Sequence, residues 1–150
     1  MSGEAPDTPA ELKARALRHL VRREHSRAEL ARKLAPHAES PAAIETLLDL
    51  LLSKKQQSDE RFAEERARVL SRKYGAAKIR RDLQERGIAD EVIDRISAGG
   101  ERERARAILE KKFPLKSENL QERAKRARFL QGRGFSCDVI IHVLSARGDD

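Results

Sequence analysis

Residues 83–93 read LQERGIADEVI and residues 130–140 read LQGRGFSCDVI, 47 positions further on, with six of the eleven residues identical. Self-similarity at a fixed period of this size marks a chain of stacked repeats, in which each supersecondary block buries its apolar face against the next. No other feature narrows the fold as far. A row of such blocks makes a long surface more readily than an enclosed catalytic cavity.

The period extends to both sides. Gly75 stands 49 residues after Ser26, and Ile79, Leu83 and Arg81 fall on Leu30, Leu34 and Arg32. The stretch ILEKKF (108–113) echoes VLSRKY (69–74) at an offset of 39, and an insertion of eight residues around PLKSEN then lengthens the offset to 47. Insertions settle in loops, so a helix boundary is expected there.

Local signals predict three short helices per block. Thr8-Pro9-Ala10-Glu11 combines an N-cap, a proline at the first helical position and a capping-box glutamate. The helix it opens is expected to bury Leu12, Ala16, Leu17, Leu20 and Val21. Ser26 with Glu29 is a second capping box, Pro36 ends that helix, and Ser40-Pro41 starts a third with Ile44, Leu47, Leu48, Leu51 and Leu52 as its apolar stripe. Ser58-Asp59-Glu60 opens the next block. Gly87 and Gly134 supply left-handed helix stops, and Ile88 and Phe135 precede the next N-cap, placed to staple onto Ile93 and Ile140. The duplicated stretch is thus a corner between two helices.

Composition agrees with this reading. With 38% charged and 39% hydrophobic residues, five aromatics and no Trp, the chain suits helices around a thin core, and each block should rest on its neighbour. The expected fold is all-α, three tandem three-helix repeats forming an elongated, curved array. Its repeats would span 9–56, 57–98 and 99–147, between tails at 1–8 and 148–150.

Several function classes lose support. Four histidines, His19, His25, His37 and His142, lack the paired spacing of a helical metal site. Cys137 stands alone, which excludes an intramolecular disulfide and fits a reducing compartment. Asp59-Glu60, Glu64-Glu65 and Asp90-Glu91 sit at helix starts or beside arginines, where dipole stabilisation and solvation account for them. Neither a phosphate-binding glycine loop nor a GxSxG nucleophile elbow is present. The expectation is a protein without enzymatic activity or cofactor, soluble, cytoplasmic and monomeric, with no membrane segment.

The formal charge of +7 favours acidic partners such as nucleic acid or a nucleoprotein. The repeats superpose Arg32, Arg81 and Arg128 on the second helices, and Arg23, Arg72 and Lys111 near the ends of the first ones. Matching positions on stacked blocks project alike, so these six form a candidate contact face for DNA or a partner. The competing reading is that each cation only solvates its helix or complements its dipole. A HEAT-like scaffold has a similar period but two helices per block.

The stretch SDERFAEERARVLSRKYGAAKIRRDLQERGI (58–88) resembles the signature of the RecX regulatory proteins, with ALRHLVRREHSRAELARKL (16–34) and KRARFLQGRGFSCDVI (125–140) similar to that family's first and closing units. The resemblance implies three tandem three-helix units that lie in the groove of the RecA recombinase filament on DNA and inhibit its extension, recombinase and coprotease activities. The alternative is a general basic DNA-binding module acting independently of RecA. Two departures carry structural expectations. APHAESP replaces the family's basic-Gly first corner, and Arg126 falls where Leu30 and Ile79 predict an apolar residue, so the second helix of the third block is expected to be rotated or more exposed.

Overall fold

A computed structural model describes residues 5–96, 99–116 and 119–145, and among these all regular structure is helical. The first block contains α1 (Pro9–Arg22), α2 (Arg27–Leu34) and α3 (Pro41–Ser53); the second α4 (Asp59–Leu70), α5 (Ala76–Glu85) and α6 (Asp90–Arg95); the third α7 (Glu101–Lys112), α8 (Leu120–Gly132) and α9 (Cys137–Ser145). Three helices per block exclude the two-helix HEAT arrangement.

The caps behave as the sequence dictates. The Thr8 hydroxyl accepts the Glu11 N–H at 3.2 Å while the Glu11 carboxylate accepts the Thr8 N–H at 3.3 Å. Ser26 and Glu29 repeat this reciprocal pair, both at 3.1 Å, and Ser40 accepts the Ala43 N–H at 3.2 Å. Each cap satisfies donors that have no partner within the helix. Asp7, assigned to the tail, is tied down: its carboxylate takes two hydrogen bonds from Arg15 and its N–H reaches the His37 carbonyl.

Two hydrophobic clusters organise the chain. Leu12, Ala16, Leu30, Leu34, Ile44, Leu47, Leu48 and Leu51 form the first, and Ala105, Leu109, Leu130, Phe135, Val139, Ile140 and Val143 the second. Two predicted core positions lie outside. Val21 is 86% exposed, because nine residues at roughly 100° each carry it to the side of α1 opposite Leu12. Leu52 is 51% exposed, at the margin of the α3 stripe in its last turn.

Both glycine corners form as expected, with Gly87 at φ 83° and Gly134 at φ 93°, and Ile88 and Phe135 buried beside them. The first corner differs: Ala35–His37 make a 3₁₀ turn, so no left-handed residue is needed. Arg126 also departs from expectation, since it is buried on α8 at 3% exposure. Its guanidinium stacks over Phe113, donates to the Leu115 carbonyl at 2.5 Å and lies 3.8 Å from the Glu122 carboxylate. Those contacts draw the arginine into the apolar register in place of turning the helix outward.

By packing, the chain divides into two compact units, 1–65 with 84–93, and 66–83 with 94–150. The middle block is shared between them. Its buried Phe62, Ala63, Ile88 and Ile93 belong to the first unit, and Ala67 and Leu83 to the second. That division fits the expectation that a block with so little apolar surface rests on its neighbours.

Repeat joints and the candidate partner-binding surface

The duplicated corner receives the second helix of the block before it. In the first unit the Ser26 hydroxyl donates to the Arg86 carbonyl at 2.9 Å, and the Arg27 N–H donates to the Asp59 carboxylate at 2.7 Å. In the second unit the Gly75 N–H donates to the Arg133 carbonyl at 2.7 Å, and the Ala76 N–H to the Glu101 carboxylate at 2.5 Å. The end of the preceding helix joins in, because Gln57 Nε2 reaches the His25 carbonyl at 3.3 Å and Arg104 reaches the Tyr74 carbonyl at 3.4 Å. One joint has been built twice.

Why glycine replaces serine at position 75 follows from this geometry. A Cβ there would sit 2.5 Å from the Gly134 carbonyl oxygen, so α5 carries no side-chain cap at this position. Its first donors are satisfied by the third block instead: Gly134 accepts the Ala77 N–H at 3.2 Å, alongside the Arg133 and Glu101 acceptors. Dipole stabilisation of its own helix start leaves out what Asp59 does across the joint, and Glu101, which the sequence does not single out, does the same in the second unit. The signal was the absent hydroxyl of Gly75, which leaves a helix start in need of outside acceptors.

The turn after α1 holds a compact charge cluster. His25 is buried, with Nδ1 3.0 Å from the Arg23 carbonyl and Nε2 2.9 Å from Lys33 Nζ. Burial first, then the Arg23 and Lys33 charges, hold its pKa below the usual 6.5, while the Arg23 carbonyl and Glu29 pull the other way. At Glu29 burial favours the neutral acid, yet the hydrogen bonds from Arg23 and the Ser26 N–H, with the charge of Arg23, hold the carboxyl below its usual value.

All six cations of the candidate face are exposed. Arg23 is already committed: it caps the end of α1 and pairs with Glu29 at 2.9 Å. The other five differ. Among the described residues no carboxylate pairs with Arg32, Arg72, Arg81, Lys111 or Arg128. Other arginines are neutralised internally, as in Arg15–Asp7, Arg66–Asp82 and Arg61–Glu24, whereas Arg18, Arg22, Arg102, Arg106, Arg123 and Arg133 also lack a carboxylate partner among the described residues. Arg23 and Arg32 lie in the first unit and the remaining four in the second. Phe62 is buried, whereas Tyr74 is half-buried with Lys78 and Arg133 over its ring at 4.8 and 5.6 Å.

Among the described residues no cluster of His, Cys, Asp and Glu is arranged to hold a metal, and no helix is long and apolar enough to cross a membrane. Cys137 is exposed at the first position of α9.

Comparison with known proteins gives a consistent result. Sequence models described as the first, second and third three-helix domains of RecX match residues 13–51, 58–95 and 100–144. A regulatory protein RecX of Ralstonia nicotianae is 42% identical over 142 residues, covering 93% of this chain and 89% of the relative. One from Herbaspirillum seropedicae is 46% identical over 134 residues, covering 87% of each. The crystal structure of RecX from Lactobacillus salivarius superposes with a TM-score of 0.84 over 95% of this chain and 97% of that one; at 20% identity the likeness speaks for the fold.

Proposed function

The chain belongs to the RecX family, and from that premise we propose that it is a non-enzymatic regulator that binds the RecA filament on DNA and restrains its extension, and with it recombinase and coprotease activity. The observation that carries this reading is the set of five exposed cations that no carboxylate of the described residues neutralises, three at one matching place in all three blocks and two at another in the second and third. Cations paired internally serve stability; unpaired ones at repeat-matched positions are available to an extended polyanion. A nucleoprotein filament is such a partner, since its DNA carries phosphates at regular spacing. Binding alone suffices for regulation, because a ligand that prefers one state of the filament shifts the equilibrium by its differential affinity. The protein acts as a monomer in the cytoplasm, where its partner works.

The test follows ATP hydrolysis and strand exchange by RecA with and without stoichiometric amounts of this protein. Both activities are expected to fall. Unchanged rates, together with tight DNA binding that ignores RecA, would replace this reading with that of an independent DNA-binding module.

A further inference from the structure

The three blocks treat the cleft between their second and third helices differently. In the first, Arg27 of α2 pairs with Glu45 and Asp49 of α3, both at 2.7 Å. In the second, Arg80 of α5 pairs with Asp94 of α6. The repeat register gives the counterparts in the third block: Arg123 for Arg27, Ala127 for Arg80, Ile141 for both Glu45 and Asp94, and Ser145 for Asp49. The carboxylates have gone and the arginine of the first block remains. Arg123 has only the Ser145 hydroxyl at 3.5 Å, and among the described residues no carboxylate pairs with it.

The result is a groove of about 320 Å³ lined by Leu120, Ala124, Ala127, Ile141 and Leu144 together with Arg123. Ile141 is 62% exposed and Leu120 80% exposed, the latter on a first turn that α8 has and α5 lacks. A large aliphatic side chain, Ile141, stands in water where the sister blocks carry an ion pair, and Leu120 extends the apolar surface beside it, which marks a surface meant to be covered. The chemistry of the occupant is set by what is missing: an aliphatic side chain to cover Ile141 and Leu120, and a carboxylate to take the place of Glu45 and Asp49 opposite Arg123. Nucleic acid offers phosphates but nothing for Ile141.

We propose that the α8–α9 groove of the third block is the docking site for an acidic segment of a protein partner, anchored by an aliphatic side chain beside a carboxylate that pairs with Arg123. This deepens the reading of the previous section, on which it rests, by adding an apolar anchor point to a surface otherwise described by charge.

The test closes the groove with the sister block's own solution, Ala127→Arg with Ile141→Asp, which copies the Arg80–Asp94 pair. Labelled protein is titrated with RecA filaments assembled on single-stranded DNA, and its melting is followed by circular dichroism. Binding at least about tenfold weaker than wild type, with unchanged melting, is expected. Ile141→Ser, a single exposed change that leaves the fold intact, should weaken binding several-fold, and Arg123→Glu more than Arg123→Lys. Wild-type binding matched by all four variants overturns the groove and leaves the filament reading standing; absence of wild-type binding overturns both. If sedimentation shows wild type associating with itself and the double variant not, with filament affinity equal, the occupant is a second copy and the proposal falls.

Discussion

His25 is kept neutral by the use made of its two ring nitrogens. A carbonyl only accepts, so Nδ1 carries the proton towards Arg23, and an ammonium only donates, so Nε2 presents its lone pair to Lys33. Protonation would set a second positive charge against Lys33 inside a buried site. The folded pKa is therefore depressed, so the stabilisation is complete above the usual 6.5 and is lost as pH falls below that value through the folded pKa. His19, whose ring lies 5.6 Å away, is shifted in the same direction by burial and the nearby cations. Unfolding by urea should show stability declining as pH falls below the usual 6.5, with a smaller slope in His25→Phe; identical slopes would refute the account of this site. Arg126 is the other residue where environment decides. Its Nε and Nη1 are buried without hydrogen-bond partners. Replacing a buried ion pair by apolar residues of similar volume is often neutral or stabilising by about 1–4 kcal/mol, and Glu122, 34% exposed, keeps its contact with water when only its partner is replaced. Arg126→Leu should accordingly melt no lower than wild type; a loss beyond about 1 kcal/mol would mean that the Leu115 and Phe113 contacts outweigh the desolvation. The sequence exposed the anomaly at Arg126 but not its outcome, because whether a charge turns out or is drawn in depends on how the segment before α8 places the Leu115 carbonyl and the Phe113 ring.

At the scale of elements, helices and corners were legible because their signals are local. Capping boxes, prolines and Gly87 and Gly134 specify starts and stops from within a few residues. The joints were not, since Asp59 and Glu101 act on helices from another block. The motif LQGRG contains its own control. A Cβ at Gly134 would lie 2.5 Å from Lys78 Cβ at φ 93°, whereas one at Gly132 meets nothing within 4 Å. Gly134→Ala is expected to cost about 1–2 kcal/mol for the left-handed backbone and more for the clash. Gly132→Ala, at the end of α8, should gain roughly 0.4–1 kcal/mol. Equal effects in thermal melts would contradict the corner geometry. Asp59→Ala removes an acceptor for the first N–H of α2 and should cost about 0.5–2 kcal/mol in urea unfolding.

For the whole molecule, the all-helical class and the tandem three-helix order follow from the repeat, and the family from motifs whose order runs along most of the chain. Which cations remain available did not follow, because Arg23 and Arg32 look alike in sequence while only Arg23 meets Glu29 in the fold. The third-block groove was hidden for the same reason: Ile141 reads as one more apolar residue until the ion pair at its counterpart Asp94 is seen. The most direct measurement is the affinity of this protein for RecA filaments on single-stranded DNA, comparing wild type with Arg32→Glu, Arg81→Glu and Arg128→Glu combined. All three side chains are exposed and unpaired among the described residues, so the fold should survive the reversal. Tight, salt-sensitive binding by wild type and a loss of at least about tenfold in the triple variant is the predicted result. Undiminished affinity and salt dependence in the triple variant would contradict it.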